Sequence, residues 1–343
     1  MNLNLQPKLD MDLQLPEVLL KESNNQYERL KGKLTPEQFK VFDDRAEFKT
    51  VIALSDFVAN TIFSYPDVCT KLVEQGALDS DTFSLDPKDA VNSYIEDKLS
   101  EFELKKRLRI LRRTRAMVIA WRDLTGKASI DEVLVSLSNL AEAIVLRTID
   151  VVRAQLKNAY GDAVDENGKP LPLLTLGMGK LGGQELNFSS DIDLIFAYPF
   201  EGQTVGSVRQ LTHREFFSRI VQRTANMLSD KTVDTFCYRI DLRLRPFGDA
   251  GTIVNSFDAL QNYYETQGRT WERYALVKAK LLGDESYYSH WGSDLIDLLR
   301  PFVYRRYLDY GAVQSLRKLK HMIESEVRRR ALKDNFKLGQ GGI

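Results

Sequence analysis

Two aspartates, Asp191 and Asp193, are separated by a single residue at the start of a short apolar run. Because side chains alternate between the two faces of a β-strand, both carboxylates are predicted to point the same way, while Ile192 and Leu194 point into the core. Two carboxylates on one face repel each other unless a cation lies between them, and hard oxygen ligands of this kind suit Mg²⁺. The alternative is an exposed strand with two solvated aspartates.

A glycine-rich segment precedes these aspartates and contains Gly177, Gly179, Gly182 and Gly183 around Lys180. Such a turn lets the backbone approach a phosphate group and exposes amides to it, which an exposed strand would not require. Three of the glycines spell GxGxxG, but a dinucleotide site needs one acidic residue about twenty positions later, at the end of the second strand. Here two aspartates come sooner and open the next strand. An NAD-dependent oxidoreductase is therefore a distant alternative.

A third carboxylate, Asp241, lies in a segment of alternating polar and apolar residues at 238–245. As one strand, this segment would bury Ile240, Leu242 and Leu244. Its polar face would then carry Arg239, Asp241, Arg243 and Arg245. A surface ladder of ion pairs is one interpretation, but arginines beside a metal-binding aspartate would also suit anionic phosphates. The combination of the Asp191/Asp193 pair with Asp241 is typical of a nucleotidyltransferase.

A third block follows at 263–280 and reads as a helix. In that helix Trp271 and Ala275 would pack inward, and Arg269, Arg273 and Lys280 would align at about one-turn spacing. Phosphate contacts by these cations and a core helix with a solvated basic face are equally good interpretations of the pattern.

The surrounding elements divide into helices, a mixed α/β middle and further helices. Apolar residues at three- and four-residue spacing predict helices at 48–63, 98–123, 131–156, 212–228 and 313–331. Short apolar or alternating runs predict strands at 172–176, 192–198 and 236–244. The predicted fold class is α+β, with a helical region at 1–125, a catalytic core at 126–285 and a helical segment at 286–343.

Composition excludes several other classes of function. The 343 residues contain 48 Lys and Arg against 48 Asp and Glu, so no overall field attracts nucleic acid or anionic membrane, and the basic run of the 98–123 helix is interpreted as its solvated face. No apolar stretch approaches the roughly 18 residues that span a bilayer, and no signal peptide is evident. A cytoplasmic, soluble protein is expected. Cys69 and Cys237 are predicted to be reduced and buried, and His213, His290 and His321 share no triad or metal spacing.

The blocks LGMGKLGGQELNFSSDIDLIF, YRIDLRLRPFG and GRTWERYALVKAK resemble the catalytic blocks of glutamine synthetase adenylyltransferases, which are polymerase-β-like nucleotidyltransferases. The resemblance extends from about residue 100 to the end of the chain and is weaker before it. In that family two homologous catalytic domains share one long polypeptide: the N-terminal copy removes AMP from a tyrosine of glutamine synthetase by phosphorolysis, and the C-terminal copy adds it from ATP. The wording WERYAL and the segment from 301 onward are similar to the N-terminal copy, so a fragment of a longer enzyme is expected.

The resemblance implies roles for individual residues. Asp191, Asp193 and Asp241 would hold magnesium, expected as two ions in this family, and Gly179, Gly182 and Gly183 with Ser189 or Ser190 would shape the phosphate-binding loop. On physical grounds we add phosphate contacts by five cations, namely Lys180, Arg243, Arg245, Arg269 and Arg273. The implied partners are adenylylated glutamine synthetase, the PII signalling protein, inorganic phosphate and ADP or ATP. Alternatives are ATP-dependent adenylylation of a protein tyrosine and a catalytically silent docking module.

Overall fold

The computed structural model describes residues 16–80 and 86–304, together with a few helical positions between 314 and 325. Apart from those positions, the helix predicted at 313–331 and the end of the chain lie outside the described residues. No helix within the described ranges is long and apolar enough to cross a bilayer.

The first part of the chain is a cluster of short helices, as predicted. They are α1 (Glu17–Lys31), α2 (Pro36–Asp43), α3 (Phe48–Leu54), α4 (Asp56–Ser64), α5 (Pro66–Glu74) and α6 (Lys88–Tyr94). Side-chain caps set several of their starts: Thr35 accepts a hydrogen bond from the amide of Gln38, and Ser55 accepts one from the amide of Val58. Ser55 also divides the single helix predicted at 48–63 into α3 and α4.

Two long helices follow, α7 (Glu101–Leu124) and α8 (Ile130–Tyr160), which confirms the predictions at 98–123 and 131–156. Helix α7 belongs to two hydrophobic cores. Its first half packs Leu104 and Leu108 into the central core around α8, while its second half packs Met117 and Trp121 among α1–α5. The predicted boundary near residue 125 therefore follows a helix that both parts of the molecule share.

A buried arginine fastens α7 to the catalytic core. The Arg109 guanidinium donates to the carbonyl oxygens of Lys105 at 2.7 Å, Thr235 at 2.9 Å and Met227 at 3.0 Å, and also to that of Asp230. Burial lowers the pKa of Arg109. Because these bonds satisfy the charge without a carboxylate partner, the arginine acts as a clamp between α7 and the segment that leads to Asp241.

The centre of the molecule is a five-stranded mixed sheet. Its strands are β1 (Leu174–Gly177), β2 (Ile192–Tyr198), β3 (Ile240–Asp241), β4 (Asn255–Ser256) and β5 (Lys280–Leu281). Strand β2 is antiparallel to β1, which is antiparallel to β5, while β3 and β4 run parallel to β2 along its other edge. Strand β2 coincides with the predicted run, whereas the strand predicted at 236–244 is reduced to two residues. After Asp241 the chain turns, so Arg243 and Arg245 do not lie on a strand.

Helices cover both faces of the sheet and confirm the α+β fold class. The remaining helices are α9 (Gly179–Gly182), α10 (His213–Ser229), α11 (Phe257–Thr266), α12 (Thr270–Val277), α13 (Glu285–Tyr288) and α14 (His290–Val303). Ile192 and Leu194 face the central core with α7, α8 and α10, while Ile195 and Ala197 face a third core with α11 and α14. Asp193 shares the side of Ile195, so its carboxylate emerges where the helical cover of that face ends.

Candidate active site

The pairing of β2 with β3 brings two predicted catalytic carboxylates together. These strands are parallel, and their register places Asp193 directly opposite Asp241 and Ile192 opposite Ile240. Residues opposite each other on adjacent strands are about 4.8 Å apart. The apolar neighbours fix this register: Ile192 is buried and Ile240 is partly buried against the same core, so a shift of β3 by one residue would turn Asp241 toward the core. Two negative charges are thus held side by side at one end of the sheet.

Asp191 lies one step before β2 and is matched with an arginine. Its Oδ1 accepts a hydrogen bond from Nε of Arg239, and Nη2 of the same guanidinium donates to the carbonyl oxygen of Ser189 at 2.7 Å. The register of β2 and β3 continues here, since the amide of Ile192 donates to the carbonyl of Arg239 at 2.9 Å. The sequence placed Arg239 on the polar face, but its role as the partner of Asp191 follows only from the parallel pairing.

Asp241 is also bound by an arginine, two residues along the chain. Nε of Arg243 lies 3.0 and 2.9 Å from the two carboxylate oxygens, and the amide of Arg243 donates to Oδ1 at 2.8 Å. The Arg243 side chain and amide hold the pKa of the Asp241 carboxyl below its usual range, although partial burial acts in the opposite direction. The side chain of Arg243 is 73% exposed and that of Asp241 only 19%, so the cation lies over the carboxylate from the solvent side.

The glycine-rich segment lies directly beside these carboxylates. The amide of Met178, which follows β1, donates to the carbonyl of Asp193 at 2.9 Å. Gly179 has φ +55°, and a Cβ there would lie 3.4 Å from Oδ2 of Asp193. A side chain at this position would therefore require a left-handed backbone, and its Cβ would be in van der Waals contact with the carboxylate. The turn is shaped to leave space next to Asp193.

A second glycine of this turn permits a close crossing of the backbone. A Cβ on Gly182 would lie 1.9 Å from the carbonyl oxygen of Lys278 and 2.4 Å from that of Gly177, so no larger residue fits. At Gly183, the next residue, a Cβ would meet its nearest neighbours at 3.4 Å, an ordinary van der Waals distance. Gly182 thus allows the backbone after β1 to pack closely against the residue that precedes β5, and Gly183 has no comparable steric requirement.

The other members of the predicted phosphate loop lie at its rim. The Lys180 side chain makes no hydrogen bond or ion pair with the described parts of the chain, so its ammonium group is available to an anion. Ser190 donates to Oδ1 of Asn187 at 2.6 Å, and the exposed Ser189 contributes its carbonyl oxygen to Arg239. The two serines therefore shape the turn before Asp191 through these contacts.

Three predicted phosphate-binding arginines lie in different settings. Arg245 donates to the carbonyl of Leu242 at 2.8 Å and braces the turn after β3. Arg269 is exposed at the start of α12. Arg273 lies over the ring of Phe302, with its guanidinium carbon 5.4 Å from the centroid, among the helices of the third core.

The block at 263–280 forms two helices rather than one. Gly268 lies in the break between them, where a Cβ would lie 2.5 Å from the Phe302 ring and only glycine fits. The predicted inward orientation of Trp271 is wrong: its side chain is 39% exposed, and Glu272 is buried instead. Glu272 accepts hydrogen bonds from the Tyr263 hydroxyl at 2.6 Å and from the Arg269 amide at 2.8 Å, and these contacts set the rotation of α12.

Histidine and cysteine chemistry is not found at this site. His213 is buried, with its ring nitrogens 2.9 and 3.2 Å from the carbonyl oxygens of Phe200 and Gln203. Cys69 and Cys237 are buried and unpaired, as predicted, and burial raises the pKa of each thiol to about 12.

The three aspartates have the donor chemistry that Mg²⁺ prefers. Asp193 and Asp241 are adjacent, and like charges held together in this way favour a divalent cation. Across the described residues, however, no three acidic, histidine or cysteine side chains converge closely enough to surround a metal, because Asp191 and Asp241 are turned toward arginines. The residues fit the ion in type, and the strand register brings Asp193 and Asp241 together. Asp191 and Asp241 could both serve as ligands only if Arg239 and Arg243 released them.

One further cation beside the glycine turn was not among the predicted site residues. Nζ of Lys278 lies 2.7 Å from Oε2 of Glu185, and the carbonyl oxygen of Lys278 faces Gly182. The lysine reaches the turn because α12 ends at Val277 and the chain enters β5. The sequence alone did not show this approach, since it depends on the pairing of β5 with β1.

Comparison with known proteins agrees with this geometry. The family model described as glutamate-ammonia ligase adenylyltransferase matches residues 45–291. The chain is 48% identical over 90% of its length to a protein of Shewanella loihica, and 47% identical over 87% to one of Shewanella oneidensis. Both relatives are named bifunctional glutamine synthetase adenylyltransferase/adenylyl-removing enzyme. The chain spans about a third of their length, 31% in each case.

Proposed function

The chain belongs to the glutamate-ammonia ligase adenylyltransferase family, and we propose that it removes AMP from an adenylylated tyrosine of glutamine synthetase by phosphorolysis. The observation that carries this proposal is the register of β2 and β3, with Asp193 opposite Asp241 and Gly179 beside them. A nucleotidyltransferase needs this kind of acidic pair next to a backbone turn that can admit phosphates.

In the proposed reaction an oxygen of inorganic phosphate attacks the phosphorus of the adenylyl group. The new P–O bond produces ADP, and the bond from phosphorus to the tyrosine oxygen breaks with its electron pair on the phenolate. A phenol has a pKa near 10, so this leaving group can depart without a strong general acid. The reaction therefore does not need a histidine as general acid. His213 is not placed for that role, because both of its ring nitrogens contact backbone carbonyl oxygens.

The main obstacle is repulsion between two anionic reactants. Mg²⁺ held by Asp191, Asp193 and Asp241 would supply the positive charge that offsets this repulsion. The chain contributes further positive charge through Lys180 at the rim of the turn and through Arg243, whose exposed guanidinium can move from Asp241 to an incoming phosphate. Gly179 keeps the space next to Asp193 clear for these oxygens.

The direction of the reaction rests on finer sequence detail. The segment Trp271–Leu276, which reads WERYAL, is similar to the copy of the family that removes AMP. The same similarity makes the PII signalling protein a proposed partner that would govern the activity. ATP-dependent adenylylation of tyrosine is the competing reaction for the same site.

An assay with two substrates tests the proposal. Adenylylated glutamine synthetase with phosphate should yield ADP, and unmodified glutamine synthetase with ATP should yield no pyrophosphate; pyrophosphate in the second reaction would favour the competing assignment. Asp193→Asn should reduce ADP release to background while the melting temperature is retained, because the carboxylate is only half-buried. Asp297→Asn, an exposed position on α14, is the matched control and should retain full activity. Substantial ADP release by Asp193→Asn would refute the assigned site.

A further inference from the structure

A cavity of about 450 Å³ lies between the N-terminal helices and the catalytic core. Its walls come from the α3–α4 junction, α7, the turn before β2 and the segment before β3. Four aromatic rings line it, those of Phe57, Phe188, Phe236 and Tyr238. We call this space the phenylalanine cavity. Its three phenylalanines are only partly buried, so a concave apolar surface is left open in the gap between two cores.

Two guanidinium groups add positive charge to this aromatic wall. Arg112 lies 5.1 Å from the centroid of the Tyr238 ring, and Arg239 lies 5.0 Å from that of Phe236. Arg112 is also fixed by a 2.7 Å hydrogen bond to the carbonyl oxygen of Phe188. Planar cations stacked on rings provide flat surfaces for a further aromatic group.

The cavity opens next to the catalytic carboxylates. Ser189 and Ser190 line it, and the following residue is Asp191. Arg239 connects the two places directly, since its side chain lines the cavity while its Nε donates to Asp191. The cavity therefore has an aromatic interior, whose wall includes one carboxylate, that of Asp123, and Arg239 forms its mouth at the edge of the acidic site.

We propose that the phenylalanine cavity binds the purine ring of an adenine nucleotide whose phosphates reach the acidic site past Arg239. This inference rests on the proposed function, because it places the nucleotide part of that reaction's substrate and product. A purine is a planar ring that stacks on aromatic and guanidinium groups, and its attached phosphates are anionic, which matches the interior and the mouth respectively. The volume lies within the range of roughly 300–1,000 Å³ that is usual for small-molecule sites.

The tyrosine ring of the protein substrate is the competing occupant. It would fill the aromatic interior, but a neutral phenol ring carries no anion to Arg239 at the mouth. An adenine nucleotide supplies both a ring for the interior and phosphates for Arg239, and it leaves Arg112 on the Phe188 carbonyl oxygen.

Calorimetric titration of the full chain with ADP and, separately, with pyrophosphate in magnesium buffer tests the proposal. Phe236→Leu keeps an apolar side chain but removes a stacking surface, and it should weaken ADP binding by about ten-fold, within the range measured for loss of one base-stacking partner. Pyrophosphate has no base, so its affinity should not change. Phe63→Leu is the matched control: this phenylalanine is also partly buried beneath an arginine, with Arg29 4.2 Å from its centroid, but it lies outside the cavity. It should bind ADP as the parent does.

Photolabelling of the unsubstituted chain with 2-azido-ADP gives a second result that does not depend on a variant folding. Label on peptides from 112–124 or 236–239 supports the proposal, and label confined to 247–277 overturns it. Unchanged ADP affinity in Phe236→Leu also overturns it, as does the absence of any ADP binding by the parent chain. The phosphorolysis assay decides the proposed function separately: ADP release by a Phe236→Leu chain with parental ADP affinity would leave that function standing and remove only the cavity assignment.

Discussion

Replacing Gly182 with alanine should destabilise the chain, whereas the same change at Gly183 should not. These neighbours follow each other at the end of α9, and the substitution adds one methyl group in both cases. At Gly182 the methyl carbon would lie 1.9 Å from the Lys278 carbonyl oxygen, and at Gly183 its nearest contacts would be at 3.4 Å. The comparison isolates the close crossing of β1 and β5 from any general effect of losing a glycine.

The expected magnitude follows from these distances. To reach ordinary contact at 3.4 Å, the backbone at Gly182 and Lys278 must separate by about 1.5 Å. A core that must shift to admit an extra carbon loses up to about 3 kcal/mol of stability. Gly183 has φ −78°, which alanine adopts freely, so that variant should gain about 0.4–1 kcal/mol from a less flexible unfolded chain. The two variants should therefore differ by about 1.5–4 kcal/mol, which for a chain of 343 residues corresponds to about 2–6 °C in melting temperature.

Thermal unfolding of both variants, followed by circular dichroism, is the assay. Gly182→Ala should melt clearly below the parent, and Gly183→Ala should melt at or slightly above it. Equal melting temperatures for the two variants would refute the close approach of Lys278 to the glycine turn. The placement of β5 beside the site would then also be wrong.

Three further predictions concern single side chains. Arg243→Gln should raise the pKa of Asp241 toward its usual value, as measured by NMR titration of the carboxyl carbon. Arg243 lowers that pKa in the folded chain, so the stability from this ion pair is present above the ordinary aspartate pKa and is lost as the pH falls through the lower folded value. The parent and the variant should therefore differ in stability at neutral pH and converge in strong acid. An unmoved Asp241 pKa in the variant would contradict the ion pair. Cys69 and Cys237 should resist a thiol reagent at pH 8 until the chain unfolds, since burial raises both pKa values to about 12, and rapid labelling of the native chain would refute this. Arg109→Met should reduce the free energy of unfolding by about 2–4 kcal/mol in urea titration, because several buried carbonyl oxygens lose a charged donor, and a loss below about 0.5 kcal/mol would contradict the clamp.

The fold class and the acidic pair could be predicted from sequence because local patterns specify them. Helical periodicity located α7 and α8 to within a few residues, and the apolar run of β2 coincided with the strand. The spacing of Asp191 and Asp193 indicated a common face. The register places Asp193 opposite Asp241, and this adjacency could not be read from local patterns because it depends on how β2 and β3 pair.

Other features could not be read from local patterns. The alternation at 236–244 predicted a long strand, but only two residues have a partner in β2, so the chain turns once that pairing ends. Helix α12 exposes Trp271 because Glu272 is held inward by the Tyr263 hydroxyl and the Arg269 amide. Contacts of this kind outweigh the apolar periodicity of a short helix. The domain boundaries and the roles of the phosphate-binding residues remain predictions.

Helix α7 has a consequence for truncation of the molecule. A recombinant fragment that started after Leu124 would retain all three candidate site aspartates, yet it would lack Leu104, Leu108 and the Arg109 guanidinium that caps the carbonyls before β3. The exposed flank of α8 would make such a fragment prone to aggregation. The smallest soluble catalytic fragment should therefore begin at Glu101 or earlier, and a protease that trims the N-terminal helices should leave α7 attached to the core.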